Sequence, residues 1–254
     1  MTIKEIENVF RQGEITEEFI ESCRSDSRKS VQTILRRYER EKRERERLHT
    51  MYMYERIAAQ AGRTIVAGVD EAGRGPLAGP VSVAAVVLPL DYHLPRLNDS
   101  KKLSHVVREE LFAQIMDAAV SYHVALVDSE TIDRMNILQA TRMGMYEAIA
   151  RLSPAPKEVL IDAVELPKLP MPSQSIIKGD AKSASIAAAS ILAKVMRDRL
   201  MEDYDREYPN YGFAQHKGYG TREHIDAIRK YGVCPIHRKS FEPIRSMLNL
   251  SVIP

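Results

Sequence analysis

Residues Ile65-Val-Ala-Gly-Val-Asp-Glu-Ala-Gly-Arg-Gly-Pro76, followed by a second apolar run at Val81-Ser-Val-Ala-Ala-Val-Val-Leu88, decide how this chain is read. A short β-rich run that stops at two acids and a glycine-rich turn is the pattern of a buried strand ending at a solvent-reaching edge. The second run has the same character. The loop between them is too short for a helical crossover, which takes a dozen residues or more, so the two strands are expected to pair antiparallel.

Working outward, Val107, Leu111, Ile115 and Ala118 fall on one face of a helix after Ser104, and Tyr122 to Val127 reads as a third strand. A helix is expected over about Ile137 to Leu152, then a buried strand Val159-Leu-Ile161 ending at Asp162, then a short extended piece from Ser175 to Lys178. A long helix after Asp180 carries Ile186, Ala189, Ala193, Met196 and Leu200 at 3,4,3,4 spacing, and its run of small residues would let a neighbour approach closely. Strands alternating with helices around one antiparallel pair predict an α/β layer with a mixed sheet.

Upstream of Ala61 the pattern changes, and residues 1–60 are expected to form a helical extension to a domain over 61–254. Ile3, Ile6, Val9 and Phe10 keep helical spacing, a second helix is expected after Thr16, whose hydroxyl can cap it, and a longer one follows from Val31. The longer helix runs into Glu39-Arg-Glu-Lys-Arg-Glu-Arg-Glu-Arg47, where Glu39 with Arg43 and Glu41 with Arg45 are i,i+4 pairs. Segment 24–47 holds ten basic and five acidic residues, while 4–23 holds two basic and six acidic. Such a helix is either a solvated, salt-bridged rod or an arm facing phosphates.

The 254 residues, 44% apolar, suffice for a core without staples. Lys and Arg number 37 against 35 Asp and Glu, so any grip on nucleic acid is local rather than a property of the whole surface. Cys23 and Cys234 stand alone, which excludes a cysteine-rich zinc site and a disulfide framework and suits a reducing cytosol. No apolar run approaches a bilayer span and the N-terminus lacks the order of a secretion signal; a soluble, cytoplasmic protein with no membrane partner is expected.

Chemistry concentrates in acids at element ends. Asp70 and Glu71 close the first strand, Asp162 closes another, and Asp180 precedes the long helix. Singly, Asp162 suits a turn and Asp180 a helix cap. Together, four carboxylates make an all-oxygen set suited to magnesium or manganese, and two such ions can activate water against a phosphodiester. Alternation sends Asp70 and Glu71 to opposite faces, so serving one cluster requires the backbone to twist or break there. Other motifs have plainer readings. Gly73-Arg-Gly75 lacks the third glycine and helix of a dinucleotide loop, no GxxxxGK[ST] occurs, Ser190 and Lys194 one turn apart suit packing better than a nucleophilic dyad, and His216, His224 and His237 lack zinc spacing.

The stretch Gly68-Val-Asp-Glu-Ala-Gly-Arg-Gly-Pro-Leu-Ala-Gly-Pro80 resembles the opening motif of bacterial ribonuclease HII. The likeness continues through Asn98-Asp-Ser-Lys-Lys-Leu-Ser104, Leu160-Ile-Asp162, Lys178 to Ser183, Ser185 to Val195, His216-Lys-Gly-Tyr-Gly220 and His237-Arg-Lys-Ser-Phe241, covering about residues 64–245. Residues 1–60 resemble the helical extension of the Bacillus-group form. The resemblance implies a ribonuclease H-like fold with a mixed five-stranded sheet flanked by helices. It implies that Asp70, Glu71, Asp162 and Asp180 bind two Mg²⁺ or Mn²⁺ ions and are catalytic. It further implies that the backbone of Gly73, Arg74 and Gly75 meets the 2′-hydroxyl of a ribonucleotide, that Tyr219 stacks on the following sugar, and that Lys101 lies near the scissile phosphate. Read from the residues alone, Tyr219 is a turn aromatic and Lys101 an exposed lysine.

Where many members have Asp-Gly, this chain has Asp162-Ala163. The implied activity is hydrolysis 5′ of a ribonucleotide embedded in duplex DNA, and of RNA in RNA–DNA hybrids, by a monomer, leaving 3′-hydroxyl and 5′-phosphate ends. Rival readings are a ribonuclease HIII-like hybrid nuclease, a non-catalytic hybrid binder and a small-molecule phosphatase.

Overall fold

The computed structural model describes residues 1–13 and 15–250. It divides into two compact units, Met1–Thr50 and Met51–Pro254. No helix among the described residues is long and apolar enough to cross a membrane.

The first unit contains α1 (Ile3–Gln12), α2 (Glu17–Arg24) and most of α3 (Lys29–Met51). Thr2 and Glu5 form a reciprocal capping box on α1, and the Thr16 hydroxyl accepts from Phe19 N to cap α2 as expected. Ile6, Ile20, Cys23, Val31 and Leu35 make its core, with the rings of Phe10, Phe19 and Tyr38 packed against it. The ion pairs on α3 are Arg24–Glu39, Arg37–Glu41 and Glu44–Arg47 rather than the i,i+4 pairs the sequence suggests. All are partly exposed and contribute little each.

The second unit opens with α4 (Met53–Gln60). Its Glu55 is buried and accepts from Ser183 Oγ at 2.6 Å and Ser185 N at 3.0 Å. Although α4 lies within residues 1–60, it therefore belongs with the second unit.

Five strands form one sheet in the order β3 (Ser121–Val127), β2 (Val81–Val87), β1 (Val66–Ala72), β4 (Glu158–Asp162), β5 (Ser173–Ile176). β1–β2 and β2–β3 are antiparallel while β1–β4 and β4–β5 are parallel, the mixed sheet expected. One face carries α7 (Ile137–Ala150), whose Ala140, Met145 and Ala148 share a core with Val69, Val83 and Val159. The other carries α8 (Ala184–Glu207), which lies directly on β1: a side chain at Gly68 would collide with the backbone of Ser185 and Ile186. The small-residue stretch of α8 is what makes that approach possible.

Remaining helices are α5 (His105–Ala118), α6 (Ser129–Met135), α9 (Phe213–His216), α10 (Arg222–Tyr231) and α11 (Ile244–Leu250). Beyond the sheet, Leu77, Met201, Tyr211, Phe213, Ile228, Cys234 and Ile236 form a second core that interlocks three loops, 73–80, 216–221 and 234–238. Two boundaries move. The last strand is Ser173–Ile176 rather than 175–178, because Lys178 takes a left-handed conformation (φ 57°). α8 starts at Ala184, capped by Ser183 Oγ, which accepts from Ile186 N. Asp180 sits earlier, in a 3₁₀ turn over Gly179–Ala181, and does not cap the helix.

Candidate active site

The central parallel pair places two of the acids. Val69 lies opposite Ile161, so Asp70 and Asp162 leave adjacent strands side by side at their C-terminal ends. Period-2 alternation gives Asp70 the face of Gly68 and Asp162 the face of Leu160, both toward α8. The turn that carries Asp180 precedes α8 on that face and is tied down where Gly179 N donates to Asp162 Oδ1 at 2.7 Å. The register of β1 with β2 continues unbroken to Ala72↔Ser82, so the backbone break needed to turn Glu71 toward Asp70 does not occur. Glu71 stays at the margin, accepting from Arg74 Nη1 at 3.2 Å through Oε1. Its Oε2 is buried without a hydrogen-bond partner.

The electrostatics follow from this crowding. Burial and the neighbouring carboxylates of Glu71, Asp162 and Asp180 push Asp70 well above the usual carboxylate range. Burial raises Glu71, against the pull of Arg74. Burial and Asp99 raise Asp180. Lys101 is raised in turn: burial alone would lower it, but Asp70, Asp99, Asp180 and Asp162 outweigh that. Asp99 is a fifth acid that sequence reasoning passes over; it also caps the 3₁₀ turn Ser100–Lys102, accepting from Lys101 N at 2.9 Å.

Among the described residues no three acidic or histidine side chains close on a single metal-coordinating point. One oxygen each of Asp70, Glu71 and Asp162 is engaged by a protein donor, respectively Glu71 N, Arg74 and Gly179 N. The donor chemistry nonetheless fits a hard divalent cation. The set is all oxygen, the neighbouring carboxylates raise Asp70, and Glu71 Oε2 is a buried acceptor with nothing to accept from.

Beside the acids is a cavity of about 310 Å³, lined among others by Glu71, Gly73, Arg74, Lys101, Arg197 and Tyr219. The glycine loop and Tyr219 face each other across it: a side chain begun at Gly75 would stand 3.8 Å from Tyr219 Cε1. Gly73 has φ +91° and lies against the Arg197 guanidinium, so glycine alone fits. Ser190 and Lys194 also line this space but make no dyad; Ser190 Oγ pairs with Ser100 Oγ at 2.7 Å and Lys194 with Asp198 at 2.8 Å.

The loop is supported by residues that pattern reading misses. Arg197 and Arg238 are fully buried. Arg197 donates to the carbonyls of Pro80, Lys217 and Ala78, and Arg238 to those of Gly79, Arg74 and Gly73. A buried arginine reads in sequence as any surface arginine, and nothing local to Arg197 or Arg238 signals otherwise.

A family model described as Ribonuclease HII matches residues 67–244, and one described as Ribonuclease HII N-terminal domain matches residues 2–59. The chain is 52% identical to Ribonuclease HII of Geobacillus kaustophilus over 98% of its own length and 97% of the relative's. It is 49% identical to Ribonuclease HII of Desulfitobacterium hafniense over the same shares. Among solved structures it is similar to the ribonuclease H2 from Pyrococcus horikoshii OT3, with a TM-score of 0.63 and 30% identity, covering 73% of this chain and 97% of that one.

Proposed function

The chain belongs to the ribonuclease HII family and is a metal-dependent endoribonuclease, and from that premise we propose that it hydrolyses the phosphodiester 5′ of a ribonucleotide embedded in duplex DNA. On this reading it also degrades the RNA of RNA–DNA hybrids, leaves 3′-hydroxyl and 5′-phosphate ends, and serves ribonucleotide removal in DNA repair and replication. The observation that carries the reading is the single cavity in which Glu71 and Lys101 at the acid cluster stand next to Gly73-Arg74-Gly75 and Tyr219.

Asp70, Glu71, Asp162 and Asp180 are the residues to hold magnesium or manganese, and two such ions would activate water and neutralise the leaving oxygen. The protein's own contribution is positional. Lys101, cationic beside the acids, offsets the charge of the phosphate to be cut. Backbone groups of the glycine loop can come close to a 2′-hydroxyl, the one direct mark that separates RNA from DNA at a single nucleotide. Tyr219, half exposed, offers a ring face for a sugar or base.

The test is cleavage of a duplex with one embedded ribonucleotide beside an all-DNA control, each with magnesium, manganese or chelator. Metal-dependent cutting 5′ of the ribonucleotide is expected. Cutting of the all-DNA control, or none of the lone-ribonucleotide duplex, would overturn the proposal.

A further inference from the structure

His237 and Arg238, adjacent in one loop, reach the two opposite walls of the cavity. Arg238 donates from Nη2 to the Gly73 carbonyl at 2.6 Å, from Nη1 to Arg74 at 2.8 Å and from Nε to Gly79 at 2.9 Å. Its own backbone N–H reaches Leu77 O at 2.8 Å. Burial and the neighbouring charge of Arg197 push its pKa down to about 9, which leaves it a cation at neutral pH.

His237 works toward the other wall. Its Nδ1 lies 2.9 Å from Cys234 N, 3.1 Å from Cys234 Sγ and 3.3 Å from Cys234 O; the shortest of these contacts, the backbone N–H, donates into the Nδ1 lone pair and so assigns the ring proton to Nε2. From there it donates to Nε2 of His224 at 3.1 Å. His224 must then carry its proton on Nδ1, which lies 2.8 Å from the carbonyl of Tyr219, an acceptor only. The tautomers deduced from the two ends of the chain agree. Burial holds both imidazoles down at about 4, so the relay is neutral at working pH. His216 stacks on His224 with ring centroids 4.4 Å apart and is itself pinned between Gly218 N and Tyr211 O.

We propose that His237 and Arg238 together are the positioning device for ribonucleotide discrimination: Arg238 holds the backbone of Gly73-Arg74, and His237 through His224 holds Tyr219, so the two walls are set against each other by one rigid segment. Neither side chain lines the cavity; both act through the residues that do. The inference rests on the function proposed above. Reading a single 2′-hydroxyl demands that loop and ring keep a fixed spacing, and a misplacement of about 1 Å can cost two orders of magnitude in rate. A hybrid tract is more forgiving, because every nucleotide of its RNA strand offers the same mark.

The experiment compares wild type with Arg238→Lys, which keeps the charge and loses the three-way fork, and His237→Phe, which removes the relay. His237→Gln, whose amide can both accept from Cys234 N and donate to His224, is the rescue. For each, kcat and KM are measured on the lone-ribonucleotide duplex and on an RNA–DNA hybrid tract, alongside the thermal midpoint. Arg238→Lys and His237→Phe should lose about tenfold or more in kcat/KM on the lone ribonucleotide relative to their loss on the hybrid, and His237→Gln should regain most of it. Equal losses on both substrates would overturn the proposal. A wild type that leaves the lone ribonucleotide uncut would fail the functional reading instead. Imidazole ¹⁵N shifts of the wild type, which need no variant to fold, should show His237 protonated on Nε2 and His224 on Nδ1; the opposite tautomers would also overturn the relay.

Discussion

The cavity has buried charge on two sides, and the two sides resolve it differently. At the acid end, Asp70, Glu71 and Asp180 sit close enough to other carboxylates, or deep enough, that their pKa values rise, and one buried oxygen has no partner. Beneath the glycine loop, Arg197 and Arg238 are equally buried like charges, yet their guanidiniums donate to six backbone carbonyls between them. The cationic side is satisfied internally and rigid. The anionic side keeps a buried acceptor, Glu71 Oε2, that no group of the protein satisfies. Unsatisfied buried charge of one sign is the mark of a site, whereas satisfied buried charge of the other sign is scaffold.

The contrast is broken most severely on the acid side by Asp70→Asn. On the proposed reading it removes charge where a divalent cation would be held, and turnover should fall at least about a thousandfold, roughly 4 kcal/mol of barrier, with duplex affinity largely kept. Single-turnover kinetics with a binding titration checks this, and near-normal turnover would refute the role of Asp70. On the scaffold side a loss of stability should accompany the loss of discrimination. Arg238→Met leaves the carbonyls of Gly73, Arg74 and Gly79 without their donor, at a cost of roughly 3 kcal/mol measured by denaturant unfolding.

The same comparison has a pH signature. With folded-state pKa values raised, Asp70, Glu71 and Asp180 contribute stability that is present below their unfolded-state pKa and is lost as pH rises through the folded values. In chelator, Asp70→Asn should therefore match wild type at acid pH and become the more stable protein toward neutrality, by on the order of 1–2 kcal/mol. Added magnesium should stabilise wild type and leave the variant nearly unmoved. Melting curves across pH decide it, and a variant that is never more stable than wild type would contradict mutual repulsion at the cluster.

The smallest effect concerns Ala163, which follows Asp162 in a left-handed conformation (φ 49°). Glycine adopts that conformation without penalty, so Ala163→Gly should stabilise by about 0.5–1 kcal/mol in the same unfolding assay.

Much of the fold was legible because its elements are local. β1, β2 and α8 announce themselves through apolar runs and 3,4 spacing, and the short β1–β2 loop dictates antiparallel pairing. Legibility failed where a residue's meaning depends on distant partners. Asp180 reads as a helix cap until Ser183 is seen to take that position. Asp99 draws no separate reading in the sequence and is found beside Asp180 only in the fold. Glu55 falls within the expected 1–60 extension, and its burial on Ser183 and Ser185 is visible only in the fold.

The order of amino acids by itself determined that carboxylates would stand at the ends of strands and before a helix, that a glycine loop would follow the first pair, and that the chemistry would be that of oxygen ligands. Those are properties of neighbours along the chain. The tertiary structure decided that Asp70 and Asp162 lie on adjacent parallel strands, that Glu71 stays at the cluster's margin, and that Arg238 and His237 brace opposite walls of one cavity. Burial, strand register and the direction of a shared proton depend on what packs against a residue from elsewhere, and no local pattern encodes them.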